Sequence, residues 1–233
     1  MQESQLYTRW QGIHRRLRQA CARVNRDPAT VRVVTVTKSA TIQQIRQAQE
    51  LGWDHFGESR PQEALRKRDA GIQVGTWHLI GRLQRNKCKW VAGFFRYFHA
   101  LDRMSLLEPL SVQCERAGTR LRVFLQINVS GEASKAGFPP SSLAEVLDEL
   151  PAYPSLQVVG WMTMAPRVER AEEVRPVFRR LASLQREWAA RGNHFPELSM
   201  GMSNDFEVAI EEGATWVRIG SSLFAPDHGG GGN

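Results

Sequence analysis

A closed (β/α)8 barrel of the TIM type, an α/β fold entered through an extra amino-terminal helix, is what this sequence predicts, on three observations. Eight short strand-like segments alternate with seven helical ones, an order that implies a parallel sheet and, at eight repeats, its closure. The 233 residues suit one barrel-sized core. No G-x-G-x-x-G follows the first strand, which disfavours an open doubly wound sheet.

The elements follow in order. Leu6, Trp10, Ile13, Leu17, Ala20 and Val24 recur at three- and four-residue intervals, the spacing of an amphipathic helix. The Asp27-Pro28 break ends it, and the β-branched run VRVVTVTKSAT (31–41) supplies strand 1. A helix over 41–51 precedes a strand in DHFGE, and a helix over about 60–70 precedes a strand in TWHLIG. A helix near 86–92, the strand YFHAL, a helix over 104–117 and the long strand LRVFLQINV come next. A helix over 141–149 leads to LQVVGWMT, a long helix near 169–190 to the short strand ELSMG, and a helix over 204–212 to the last strand, WVRIG. Residues 1–226 are expected to form one domain, and 227–233, ending in GGGGN, a flexible tail.

Composition narrows the classes of function. The chain is 42% hydrophobic and 24% charged, an ordinary globular balance. No apolar run approaches the roughly 20 residues of a membrane span, and the amino-terminal stretch lacks the apolar centre of a signal peptide, so a cytoplasmic location is expected. Cys21, Cys88 and Cys114 are odd in number and far apart, which indicates neither a disulfide framework nor a zinc site. The net charge of +7 raises the question of nucleic acid. The arginines, however, are spread along presumed helices without the aromatic interleaving of an RNA-binding surface, so a solvated basic surface is expected instead.

Strand 1 ends on a lysine. Alternation puts Val34, Val36 and Lys38 on one side, so valines in the barrel interior direct Lys38 into the mouth formed by the βα loops. The alternative is a lysine that leaves the core for solvent. Held among apolar walls, an amine loses solvation of its charge, its pKa falls, and it can attack an aldehyde to form a Schiff base. Across the same mouth, LSMGMSND brings Ser199, Gly201 and Ser203 to the end of strand 7, and VRIGSS brings Arg218, Gly220, Ser221 and Ser222 to the end of strand 8. Barrels often bind phosphate in these two loops, although Ser203 or Asn204 with Glu207 also reads as a helix cap. A lysine facing two phosphate turns suggests a phosphorylated aldehyde, and pyridoxal 5′-phosphate is the candidate.

Four tracts, VTVTKSATIQQIRQAQELGWDHFGES, WHLIGRLQRNK, LQINVSGEASKAG and LSMGMSNDFEVAIEEGATWVRIGSSLFA, together resemble the pyridoxal phosphate homeostasis proteins over residues 5–225. The resemblance implies a single barrel like the amino-terminal domain of alanine racemase, fold type III among proteins that bind this cofactor, with pyridoxal phosphate joined to Lys38. It carries phosphate contacts onto Ser199, Gly220 and Ser221, and places Arg218 near the pyridine nitrogen. His78, Ile80 and Met162 are expected either to wall the site or to pack in the core. The family often has K-x-K-P where this chain has Lys38, Ser39, Ala40 and Thr41, and G-E-N-Y where it has Gly57, Glu58, Ser59 and Arg60. Ser59 still offers a hydrogen bond to the cofactor, over a shorter reach.

Arginine beside the pyridine nitrogen leaves that nitrogen unprotonated, which weakens the ring as an electron sink. Racemisation needs a second acid/base, supplied in alanine racemase by a tyrosine of the partner subunit's carboxyl-terminal domain. Here the tyrosines are Tyr7, Tyr97 and Tyr153, none at a predicted strand end. The expectation is therefore a monomeric carrier or buffer with no catalytic residue and no metal, which meets apo-enzymes transiently and binds neither nucleic acid nor membrane. A weak racemase-like enzyme is the alternative. Lys135 matches a family lysine that would hold a second cofactor or lie on a transfer route, the alternative being an exposed loop lysine. Glu58 and Asp205 are candidates for orienting neighbours or capping helices.

Overall fold

Eight parallel strands pair in chain order and the last closes on the first. They are β1 (Arg32–Val36), β2 (His55–Glu58), β3 (Thr76–Leu79), β4 (Tyr97–Leu101), β5 (Leu121–Gln126), β6 (Leu156–Met162), β7 (Glu197–Met202) and β8 (Trp216–Ile219). This computed structural model describes residues 5–73, 75–132 and 135–224, so the expected glycine tail lies outside the described residues. The helices are α1 (Gln5–Arg23), α2 (Ile42–Glu50), α3 (Pro61–Asp69), α4 (Leu107–Arg116), α5 (Leu143–Glu149), α6 (Arg175–Ala189), α7 (Phe206–Glu211) and α8 (Ser221–Phe224). Among the described residues no helix is long and apolar enough to cross a membrane.

Sequence explains each of the helices nearest the site. α1 buries Leu6, Ile13, Leu17, Ala20 and Cys21, and stacks Trp10 on Trp53 with ring centroids 4.0 Å apart. α2 starts on a capping box, in which Thr41 Oγ1 accepts from Gln44 N at 3.2 Å and Gln44 Oε1 accepts from Thr41 N at 2.9 Å. That box fixes the turn immediately after Lys38. α3 opens on Pro61, whose missing N–H costs nothing in a first helical turn. α8 is a single turn that follows β8 directly and lies outside the helices the alternation predicts.

Two expected helices differ from the periodicity. Residues Arg85–Trp90 form a 3₁₀ segment capped at Val91, whose N donates to Cys88 O at 3.0 Å, and the left-handed Gly93, with a φ of 77°, follows it. The long helix near 169–190 divides into a 3₁₀ turn, Ala171–Val174, and α6, which starts with Pro176 in its first turn.

Rings fill the barrel interior. Trp216 of β8 lies against His55 of β2, His78 of β3 and Tyr97 of β4, with centroids 4.9, 5.1 and 5.3 Å apart, contacts that cross the barrel. His99 of β4 stacks on Phe124 of β5 at 4.3 Å. The alternate residues Phe56, Leu79, Phe98 and Ile219 therefore fall on the outer face, where they are fully buried toward the helical layer. The three cysteines are free and buried, and burial pushes the Cys114 thiol up to about 11, so it stays protonated.

Many surface arginines are paired. Arg175 donates to Glu172 at 2.7 Å, Glu211 at 2.6 Å and Glu212 at 3.0 Å, and Arg179 donates to Glu212 at 2.9 Å, which ties the start of α6 to the end of α7. Hydrogen bonds from Arg179 and Arg175 hold the Glu212 carboxyl below its usual range. A depressed pKa stabilises the fold above the unfolded value, about 4.3, and the contribution is lost as pH falls through the folded value. Glu212→Gln is expected to lower stability by about 1 kcal/mol or less at neutral pH after solvent screening. In urea melts, the gap to the unaltered chain should close as the solution is acidified below that range.

Candidate functional site

The carboxyl ends of the strands frame the site. β1 ends at Val36, Thr37 is buried, and Lys38 emerges exposed at the rim. Apolar walls do not enclose it, so the desolvation expected from the sequence is not a feature of this conformation. Its backbone, by contrast, is held firmly. Thr37 N donates to Gly57 O at 2.9 Å. Beneath it Glu58, 1% exposed, accepts from Thr37 Oγ1 at 2.6 Å and from Lys67 Nζ. Lys67 Nζ also donates to Thr37 O at 2.6 Å, the carbonyl of the peptide bond that leads into Lys38. The backbone that leads into the rim lysine is thus held, while its side chain is exposed.

On the neighbouring strand, β8 runs into a turn built for close backbone approach. Gly220 N and Ser222 N point at Ser203 Oγ, at 3.3 and 3.4 Å. A Cβ at Gly220 would lie 2.9 Å from Val36 O and 3.0 Å from Val36 Cβ, so the turn sits against the end of β1, two residues before Lys38. Gly201 has a φ of 90° and passes so near α7 that a Cβ would fall 2.5 Å from Ala209 Cβ. Asp205 accepts from Met202 N at 2.6 Å and closes the same turn, while its burial raises its own pKa.

Arg218 forms the floor. It is 4% exposed and donates through Nη1 to Ser199 Oγ at 2.7 Å and through Nη2 to Thr163 O at 3.1 Å. Burial lowers its pKa to about 10, partly offset by Asp205, which leaves it a cation at neutral pH.

The residues singled out from sequence fall at three levels. Lys38, Ser59, Ile80, Gly220 and Ser221 are at the rim, with Ser59 and Ile80 half-buried and Ser221 exposed. Met162, Ser199 and Arg218 are buried beneath it. His78 is lower still, stacked on Tyr97 at 4.5 Å. Ser199 faces Arg218, and the hydroxyl at the Gly220 turn is that of Ser203, four residues further along the chain and just past the end of β7. Lys135 is half-buried in the loop after β5 and pairs with Glu132 at 2.5 Å. Sequence reasoning missed Lys67 and His99. The signal for Lys67 was its place in the Pro61, Ala64, Lys67 spacing, which puts it on the buried face of α3.

A parallel barrel with a lysine at the end of β1 and glycine-serine turns after β7 and β8 defines the class of the amino-terminal barrel of alanine racemase, and the family model "Alanine racemase, N-terminal domain" matches residues 10–227. Within that class the sequence is 40% identical to the pyridoxal phosphate homeostasis protein of Aquifex aeolicus over 90% of this chain and 92% of that one. It is 41% identical to the protein of the same description from Pseudomonas aeruginosa, over 92% and 93% of the two chains. The chain belongs to the pyridoxal phosphate homeostasis protein family. Its fold superposes on PipY of Synechococcus elongatus PCC7942 at 34% identity over 91% of this chain and 99% of that one. The TM-score is 0.80 for the form without pyridoxal phosphate and 0.76 for the form with it bound.

Proposed function

We propose that this protein binds pyridoxal 5′-phosphate reversibly through Lys38 and serves as a carrier and buffer of the cofactor in the cytoplasm, without turnover of an amino acid. The observation that carries the reading is the packing of Gly220 against Val36, which brings backbone N–H donors to the flank of the strand that presents Lys38. The donor set fits the group. Gly220 N, Ser222 N and Ser203 Oγ would hold the phosphate, Arg218 would face the ring nitrogen, and Lys38 Nζ would bond the carbonyl carbon. When bound, the cofactor supplies an electrophilic carbonyl and a ring able to delocalise charge. PipY, a relative at 34% identity, has been solved with pyridoxal phosphate bound, which supports the assignment.

Two features favour a carrier over a catalyst. The base of the site is a guanidinium, which donates hydrogen bonds without giving up a proton. Tyr97 starts β4 at the opposite end of the barrel, Tyr153 precedes β6 and Tyr7 lies in α1, so no tyrosine stands at a strand's carboxyl end. An exposed Lys38 also suits release of the cofactor to an apo-enzyme. The test is a cofactor titration followed by incubation with amino acids. Saturable binding without racemisation or decarboxylation is expected, and turnover of order one per second or faster would replace the carrier by an enzyme.

The turn makes its own prediction. Gly220→Ala drives a methyl group into the Val36 carbonyl, and the expected loss of affinity for pyridoxal phosphate is about 10-fold or more, roughly 1.4 kcal/mol. Equilibrium dialysis reads it, and unchanged affinity would remove the turn from the site.

A further inference from the structure

Four side chains stand in file through the barrel below Arg218. His55 Nδ1 lies 3.0 Å from His78 Nε2, His78 Nδ1 lies 2.9 Å from His99 Nε2, and His99 Nδ1 lies 2.8 Å from Ser199 Oγ. His78, His99 and Ser199 are fully buried, whereas His55, at the amino-terminal end of β2, is half-buried. The histidines do not converge as metal ligands; among the described residues no such cluster of His, Cys, Asp or Glu occurs. Both ring nitrogens of His78 and of His99 are spent within the file, so every link needs one hydrogen and the whole column has a single direction.

That direction can be derived. Arg218 only donates, so Ser199 Oγ accepts from it, and the one acceptor recorded for the serine hydrogen among the described residues is His99 Nδ1. His99 then carries its hydrogen on Nε2 and gives it to His78 Nδ1, and His78 carries its own on Nε2 and gives it to His55 Nδ1. Burial, together with neighbouring cations, holds both inner imidazoles well below their usual pKa, so they remain neutral.

We infer that His55, His78, His99 and Ser199 form a single-file proton relay that joins the floor of the rim site to the opposite face of the barrel. Charging His55 reverses the file, and the atoms balance as follows. The hydrogen on His78 Nε2 passes to His55 Nδ1, that on His99 Nε2 to His78 Nδ1, and that on Ser199 Oγ to His99 Nδ1. One proton taken up from solvent hydronium, which is released as water, replaces the serine hydrogen, so the column gains one proton and the single added charge rests on His55. The Ser199 hydroxyl, now accepting from both His99 and Arg218, has its own hydrogen released from the file, directly under the Arg218 floor of the site. His55 meets Asp54 beside it in the chain, Arg32 of β1 with its partner Glu197 of β7 at 2.7 Å, His78 of β3 and the ring edge of Trp216 of β8. Burial lowers the His55 pKa, with Asp54 opposing the shift and Arg32 adding to it.

Nitrogen-15 NMR of the imidazoles in the ligand-free full chain tests the relay without reference to any cofactor. At neutral pH both His78 and His99 are expected as Nε2–H tautomers. Between about pH 8 and about pH 5 both should exchange to Nδ1–H while staying neutral, in step with the titration of His55. In His55→Phe the exchange should vanish. Opposite tautomers of His78 and His99 at neutral pH would overturn the relay, as would tautomers that hold unchanged after His55 itself has become charged in the folded chain.

Discussion

Lys38→Ala is expected to take up no covalent pyridoxyl label when it is mixed with pyridoxal phosphate and reduced with borohydride, whereas the unaltered chain takes up one equivalent. The loss should be complete, because Lys67, the nearest buried amine described, is committed to Glu58 and to the Thr37 carbonyl. Non-covalent affinity should survive in part, since the Gly220 turn and Arg218 are unchanged, and dialysis should still detect weakened binding. The fold should not suffer. Lys38 is exposed at the end of a strand whose hold on β2 comes from its backbone, and surface substitutions of this kind are usually within about 0.5 kcal/mol. Full labelling of Lys38→Ala would show that another amine carries the cofactor.

The largest effect on stability is expected at Glu58. Its carboxylate is 1% exposed and is the recorded anionic partner of Lys67, whose side chain is 11% exposed. Glu58→Ala leaves an ammonium group in that interior, and removing one partner of a buried pair costs about 3–5 kcal/mol. For a domain of this size that corresponds to a fall in Tm of roughly 10 °C, at about 2–4 °C per kcal/mol. Replacing both residues, Glu58→Leu with Lys67→Met, should recover much of the loss, because no charge then remains to be desolvated. The double substitution also separates the two duties of the cluster. Stability should return while cofactor affinity stays low, because the Thr37 carbonyl no longer receives its hydrogen bond from Lys67. A single Glu58→Ala chain that melts with the unaltered protein would show that the pair contributes nothing.

Much of this was legible in the residues. Strand and helix alternation carried the barrel, since every strand but β7 (Glu197–Met202) contains β-branched or aromatic residues and each connection has room for a crossover. The rim lysine and the Gly220 turn were also readable, because period-two alternation along β1 and β8 places Lys38, Arg218 and Gly220 on the inward side. What alternation does not give is depth. Ser199 lies in β7 and Ser203 just past its end, and the four-residue step between them separates a floor position beneath Arg218 from a rim position beside Gly220. The histidine file was hidden for a related reason. His55, His78 and His99 sit on three successive strands, and their register, His55 level with Thr76 and His78 with Tyr97, is a property of the closed sheet that no local pattern announces. At Arg85–Trp90, where a helix near 86–92 is expected, the chain forms a 3₁₀ segment instead.

Everything proposed for the rim rests on Lys38 as the amine that meets the cofactor. The direct measurement is mass-spectrometric peptide mapping of the unaltered protein after incubation with pyridoxal phosphate and borohydride reduction. The account predicts the pyridoxyl group on the peptide that contains Lys38; a label carried instead by Lys67, Lys135 or any other lysine would contradict it.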